Sequence, residues 1–287
     1  LIGDLEPSEA TTISGVTANG TVTGSDQYVG GLIGYADGSN GRISVADAHA
    51  DGDVTEASGN NNDHVGGLIG ELTGAGDVTD VSATGAVTAN GSEVGGLIGR
   101  LDHINNDNYR LENVSATGTV TTGGQYVGGL VGRHRYAKAV TNVSADGDVT
   151  TDGNQAGGLI GNLEGGTIAD STATGDVKSS SKGYVGGLVG YYEDSGTDSV
   201  IKNASATGEV TGNNQYVGGL IGVADGSNGV TITSAQANGD VTEASGSNHD
   251  HVGGLIGELT GAGDITNVTA TGTVRANGSE VGGLVGR

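Results

Sequence analysis

Asp148, Asp176, Glu209 and Asp240 each stand before the Val of a recurring phrase, Ala-x-Gly-x-Val, one repeat apart. Carboxylates aligned in consecutive repeats could hold Ca2+, a hard cation that takes oxygen ligands. They could equally form a solvated acidic strip neutralised by diffuse monovalent cations such as Na+ or K+. At the ~4.8 Å spacing of stacked strands, neighbouring like charges repel by about 0.9 kcal/mol even in bulk water. Either arrangement therefore depends on salt or cations. Asp37-Gly38-Ser39-Asn40-Gly41 and Asp225-Gly226-Ser227-Asn228-Gly229 resemble fragments of Ca2+ loops. Both lack a closing Glu at the right distance, and turn chemistry accounts for them.

Other residue types recur in columns. His64 and His251 follow Asp63 and Asp250 in equivalent turns, with His249 nearby. A Zn2+ site would need further ligands close in space, so surface histidines are expected. Tyr28, Tyr126, Tyr184 and Tyr216 share that column, as a stacked file or as a stripe for surface glycans. Thr23, Thr55, Thr88, Thr121, Thr150, Thr211 and Thr242 follow the phrase Val. Such a file could order water, but Lys178 and Arg275 interrupt it and β-propensity explains it. Asp47, Asp80, Asn113, Asn142, Asp170, Asn203 and Asn267 form a column expected to cap a corner. Asn19, Asn90, Asn113, Asn142, Asn203, Asn267 and Asn277 open Asn-x-Ser/Thr sequences. Of these, the turn positions Asn90 and Asn277 are the expected glycosylation sites.

The elements that position these columns follow from repetition. Val-Gly-Gly-Leu-(Ile/Val)-Gly occurs nine times, with Ala156 once in place of the Val, and alternates with Ala-x-Gly-x-Val. Self-similarity at a period of 20–50 residues marks a solenoid or another repeat array. In one unit, Val81, Ala83, Gly85 and Val87 alternate with polar residues, which predicts one strand over 81–88. A turn at Ala89-Asn90-Gly91-Ser92 leads to a second strand over 94–99, and a variable third segment joins the next unit. Gly on both sides of Leu-Ile serves a sharp turn at φ > 0 or a close approach of coils. A phosphate cradle is rejected, because no Lys-Ser/Thr completes it. With 59 Gly in 287 residues, a helical repeat is excluded at ~1 kcal/mol per interior Gly. One unit buries too few small apolar side chains to offset its ordering entropy, so units must stack. The predicted fold is an all-β parallel β-solenoid of nine to ten coils, right-handed by analogy, continuous from 1 to 287.

Composition narrows the function. The chain has no Cys, Met, Trp or Phe, so it carries neither disulfides nor Cys-bound metals. Its 34 Asp and Glu against 11 Lys and Arg give a net charge of −23. That charge repels nucleic acid and anionic membranes. It resembles the composition of halophile proteins, whose repulsion is screened at ~1 M salt, where the Debye length is ~3 Å. No run reaches the ~18 apolar residues of a membrane-spanning helix. Leu1-Ile2-Gly3 reads as the tail of a further copy of the motif. The chain is therefore expected to be a segment of a longer polypeptide.

Val114-Ser-Ala-Thr-Gly-Thr-Val-Thr121, a short turn, then Tyr126-Val-Gly-Gly-Leu-Val-Gly132 resembles the GLUG repeat. The likeness recurs along the whole chain. It implies a secreted or cell-surface protein of a prokaryote, a β-solenoid-like array, and no catalytic residue or cofactor. The expected function is a non-enzymatic extracellular structural protein, part of a filament, stalk or adhesin. Its expected partner is itself, end to end or in a filament, with surface glycans as a further candidate. A viral tail or surface fibre is one alternative. A carbohydrate-active β-helix enzyme is the other, and it would need non-repeating polar residues converging on one face. Arg133-His134-Arg135 is the only basic cluster. Residues 27–41 return, with one change, as 215–229, and 53–100 match 240–287 at most positions, so six repeats were duplicated as a block.

Overall fold

The computed structural model describes residues 2–25, 27–57, 63–103, 109–181, 183–194, 199–213, 215–244 and 250–287. No described residue is helical. The strands form one sheet of 20 strands, here the long sheet, and two sheets of nine. One coil shows the path. Val87–Ala89 lies in the threonine sheet and Glu93–Gly95 in the glycine sheet. Ile98–Asp102, Leu111–Glu112 and Ser115–Ala116 follow in the long sheet, and Val120–Thr122 opens the next coil. Pairing is parallel, and each residue meets its counterpart one repeat away. Val87 meets Val54 and Val120, Val94 meets Val65 and Val127, and Ile98 meets Ile69 and Val131. The protein is a parallel β-solenoid.

Two cores run along it. The larger holds the motif Leu and Ile with the Ala of the other phrase, as in Leu97, Ile98 and Ala116. The smaller is almost pure Val and joins the threonine and glycine sheets, as in Val87, Val94 and Val120. Short side chains suit both, because strand spacing sets one thin layer per coil.

Two expected strands prove to be corners. The alternation over 81–88 breaks at Gly85, where Ala83 ends the long sheet and Val87 begins the threonine sheet. The motif breaks likewise at Gly96-Leu97, between Glu93–Gly95 and Ile98–Asp102. Gly96 is not at positive φ. A Cβ there would run into the carbonyl oxygen of Gly129 on the next coil. Close approach, rather than a left-handed turn, is what this glycine serves.

The left-handed corner lies elsewhere. Gly15, Asp47, Asp80, Asn113, Asn142, Asp170, Asn203, Ser234 and Asn267 all have φ between 49° and 64°. Small polar side chains tolerate this region because they bond locally. Asn113 Nδ2 donates to Asp80 Oδ1 at 3.0 Å, Asn142 Nδ2 to Asn113 Oδ1 at 2.7 Å, and Asn203 Nδ2 to Asp170 Oδ1 at 3.0 Å. A ladder is therefore present at this corner, but as side-chain bonds from coil to coil rather than caps on backbone groups, and it marks a left-handed position in each coil.

Candidate functional site: a double column of paired side chains

The residue before each Val-Gly-Gly and the residue after the closing Gly are seven positions apart. The Gly-Leu corner folds them side by side. In the second coil His64 Nδ1 lies 2.6 Å from Glu71 Oε2. In the third, Arg100 Nε is 3.6 Å from Glu93 Oε2. In the fourth, Arg133 sits 4.9 Å over the Tyr126 ring. Asn162 Nδ2 then donates to Gln155 Oε1 at 2.8 Å, and Tyr184 stacks on Tyr191 at 5.1 Å. His251 and Glu258 repeat the His–Glu pair at 2.7 Å, and Tyr28 with Tyr35 makes the first pair at 4.8 Å. Eight of the nine coils, Glu280 with Arg287 included, thus carry a chemically matched pair on one face; in the seventh, Val223 stands at the place of the second member beside Tyr216.

The pairs also join across coils. Arg100, Glu93, Arg133, Glu164, Arg135 and Asp102 close into a ring of alternating charge. Its contacts run from 2.6 Å for Arg133–Glu164 to 3.6 Å for Arg100–Glu93. His64 and Glu71 attach to it through Glu93 and Arg100. Every arginine of the chain is ion-paired, the others being Arg42 with Asp77, Arg110 with Glu112, Arg275 with Asp240 and Arg287 with Glu280. Lys138, Lys178 and Lys202 pair with no carboxylate among the described residues, and Lys182 lies outside them. The planar guanidinium fork meets two carboxylates at once, which an ammonium cannot match.

His64 and His251 correct the expectation of surface histidines: they are 6% and 4% exposed. The glutamate seven residues on turns back over each ring and supplies the partner that burial requires. His249 lies outside the described residues. Of the tyrosine column, only Tyr184 and Tyr216 stack on each other, at 5.1 Å, with His251 4.9 Å beyond; Tyr28 lies against His64, and Tyr126 stands between Glu93 and Gln155. A cleft of about 540 Å3 opens beside Tyr28 and Tyr35, lined also by Asp4, Glu6 and Gly24. In the second block the counterpart space, beside Tyr216, is filled by Tyr184 and the coil that carries it.

The expected cation column is in register through the pairings on either side of it, and three of its four carboxylates accept a backbone N–H of the next coil, while Glu209 accepts the Thr211 hydroxyl. Asp148 Oδ1 accepts the Asp176 N–H at 2.9 Å, Asp176 Oδ1 accepts the Glu209 N–H at 2.7 Å, and Asp240 Oδ1 accepts the Thr273 N–H at 2.7 Å. The Thr273 N–H and the Arg275 guanidinium hold the Asp240 carboxyl below its ordinary pKa. Among the described residues no three His, Asp or Glu side chains are grouped to hold a metal ion. Asp37 and Asp225 accept the backbone N–H of Ser39 and Ser227, at 2.8 and 3.2 Å, as turn residues do. The threonine file is aligned too, running Thr121, Thr150, Lys178, Thr211, Thr242 and Arg275.

Arg133-His134-Arg135 divides between outside and inside. The arginines enter the charged ring, while His134 points into the core and receives the hydroxyl hydrogen bond of Tyr109. That hydroxyl accepts the Lys138 N–H at 2.8 Å, so its own proton goes to His134 Nε2. His103 stacks on the Tyr109 ring and bonds Gly74 O through Nδ1 at 2.9 Å. Sequence reasoning missed this cluster, because His103 and Tyr109 lie at the two ends of a longer connection whose residues recur in no other coil.

The GLUG motif matches residues 25–55, 61–88, 123–150, 152–178, 182–211 and 248–275, more than half of the chain. The chain belongs to the GLUG repeat family. One GLUG unit is one coil, from the turn before the glycine sheet to the threonine sheet of the next layer. The unmatched stretch between 88 and 123 is the coil that carries the connection from His103 to Tyr109. This GLUG chain is also similar to Halomucin of Haloquadratum walsbyi (strain DSM 16790 / HBSQ001), with 45% identity over 91 residues. The match covers 31% of this chain and 1% of that relative's length. No solved structure matches it. No helix among the described residues is long and apolar enough to cross a membrane.

Proposed function

We propose that this chain is a non-enzymatic rod segment of an extracellular or cell-surface protein of a halophile, part of a filament, stalk or adhesin. The observation that carries the reading is uniformity. Nine coils stack in one register, and many of their polar side chains bond to the neighbouring coil. At ~4.8 Å per coil they span about 40 Å along the axis. GLUG membership and the likeness to Halomucin support placement outside the cell. A chain repeating this unit many times would be a long, stiff, acidic fibre, suited to association with copies of itself.

The test is location together with form. Antibodies against residues 1–287 should decorate the surface of unlysed cells kept in their growth salt, and negative-stain images should show thin rods. Label confined to the cytoplasm would overturn the reading, and label on virions would move it to a viral fibre. Cleavage of a glycan by the purified chain, lost on substituting a defined carboxylate pair, would replace it with the enzyme reading.

A further inference from the structure

We propose that Asn90 and Asn277 carry N-linked oligosaccharides and that the asparagines of the corner ladder do not. Seven asparagines open an Asn-x-Ser/Thr sequence, and the fold sorts them. Nδ2 of Asn113, Asn142 and Asn203 is committed to the coil before it, at 3.0, 2.7 and 3.0 Å. A sugar there would take one of the two Nδ2 hydrogens and crowd coils only ~4.8 Å apart. Asn267 stands in the same left-handed column.

Asn90 and Asn277 lie instead on the turn between the threonine and glycine sheets, and both are exposed. The turn is held from below. The Asn90 N–H donates to Glu56 Oε2 at 3.0 Å and the Asn277 N–H to Glu243 Oε2 at 3.2 Å. Glu56 and Glu243 are each 2% exposed, buried carboxylates whose visible task is to grip this backbone. Neither Asn90 nor Asn277 makes a hydrogen bond through Nδ2 among the described residues. The grip fixes the main chain and leaves the amide free to be substituted. Asn19 has no such held turn and is outside the proposal.

The chemistry needs a lipid-phosphate-linked oligosaccharide and a transferase. A bond forms between sugar C1 and Nδ2, the C1–O bond to the phosphate carrier breaks, the carrier leaves as the phosphate, and the Nδ2 proton passes to solvent. Ser92, the hydroxyl of the Asn90 sequence, is 5% exposed, so transfer precedes closure of its coil. The finished fold then has only to leave the glycan room, and the two turns do. The sites occupy equivalent places in the two duplicated blocks, six coils apart, so both sugars project from one side of the rod about 30 Å from each other.

The inference rests on extracellular placement, which the labelling above tests separately. Protein isolated from its own source is digested, and intact glycopeptides are sequenced by mass spectrometry. Sugar fragments are scored rather than Asn-to-Asp mass shifts, because both sites are Asn-Gly and deamidate on their own. The expected result is glycan on Asn90 and Asn277, with Asn113, Asn142 and Asn203 bare. Bare peptides at Asn90 or Asn277 from a surface-located chain, or a glycan on any ladder asparagine, would overturn it.

Discussion

Burial keeps the imidazoles of His103 and His134 neutral, and that gives the protein an acid-sensitive point. His103 has its pKa pushed down to about 4, chiefly by burial, partly offset by its bond to Gly74 and by the charges of Asp102 and Asp77; Arg42 adds to the depression. Burial, with His103 beside it, also lowers His134. The unfolded chain binds a proton near pH 6.5, whereas the folded ring at 103 waits until about 4. Stability is therefore complete above about pH 6.5 and is lost as pH falls through that window, by at most about 3 kcal/mol for His103. Denaturation midpoints from pH 7.5 to 4.5 check this, and His134→Gln should flatten the curve; a flat wild-type curve would refute it. Arginine gives a second prediction. Arg100→Ala leaves Glu71, Glu93 and Asp102 facing one another and should cost about 2 kcal/mol. That is below the ~3–5 kcal/mol of a fully buried pair, because the Arg100 side chain is 21% exposed. Arg100→Lys should recover only part of the loss, and exposed Lys178→Ala should cost nothing measurable in the same denaturation experiment.

At the scale of the element, corners rather than strands limit what the coil accepts. Gly96→Ala would place a Cβ against the carbonyl oxygen of the coil above, where backbone and not a flexible side chain must move. Its midpoint should fall far more than that of Thr121→Ala on the exposed threonine file, and failure to fold at all agrees with the same mechanism. A midpoint equal to wild type would show that neighbouring coils can part without cost. The corners also mark where reading from sequence stops. Periodicity reveals the solenoid, the apolar columns and the register, because stacking makes equivalent positions true neighbours. It does not reveal that Gly85 divides an alternating run, since both sides of a corner keep period two. The Asp47-to-Asn267 column announced a ladder at a corner, but neither its side-chain bonds from coil to coil nor its left-handed position. The paired columns were hidden for another reason: His64 and Glu71 are seven apart, and nothing brings them together until a corner is known to fall between them. The carboxylate column was visible, while its role as acceptor for the next coil's N–H depends on backbone directions that residue types do not show.

For the whole molecule, the 34 carboxylates far exceed the arginines that pair with them. Screening the remainder should raise the thermal midpoint between 0.1 M and 2 M NaCl, as the Debye length falls from ~10 to ~2 Å. The acidic strip is already tied into the backbone, so chelator at constant ionic strength should leave the midpoint where it was. A drop with chelator would restore bound Ca2+, and a salt-independent midpoint would remove the screening argument. The seven-residue pairing across the Gly-Leu corner has a consequence in heredity as well. Both members of each pair are encoded within two dozen nucleotides, so unequal recombination between repeats almost always moves them together. A transplanted coil arrives with its own complement, His with Glu or Glu with Arg, and needs little adjustment from its new neighbours. The copy of His64–Glu71 and Glu93–Arg100 seen at His251–Glu258 and Glu280–Arg287 is such a transfer, made with its pairs intact. Gene length in such a protein can drift quickly while the surface chemistry of each layer stays coherent.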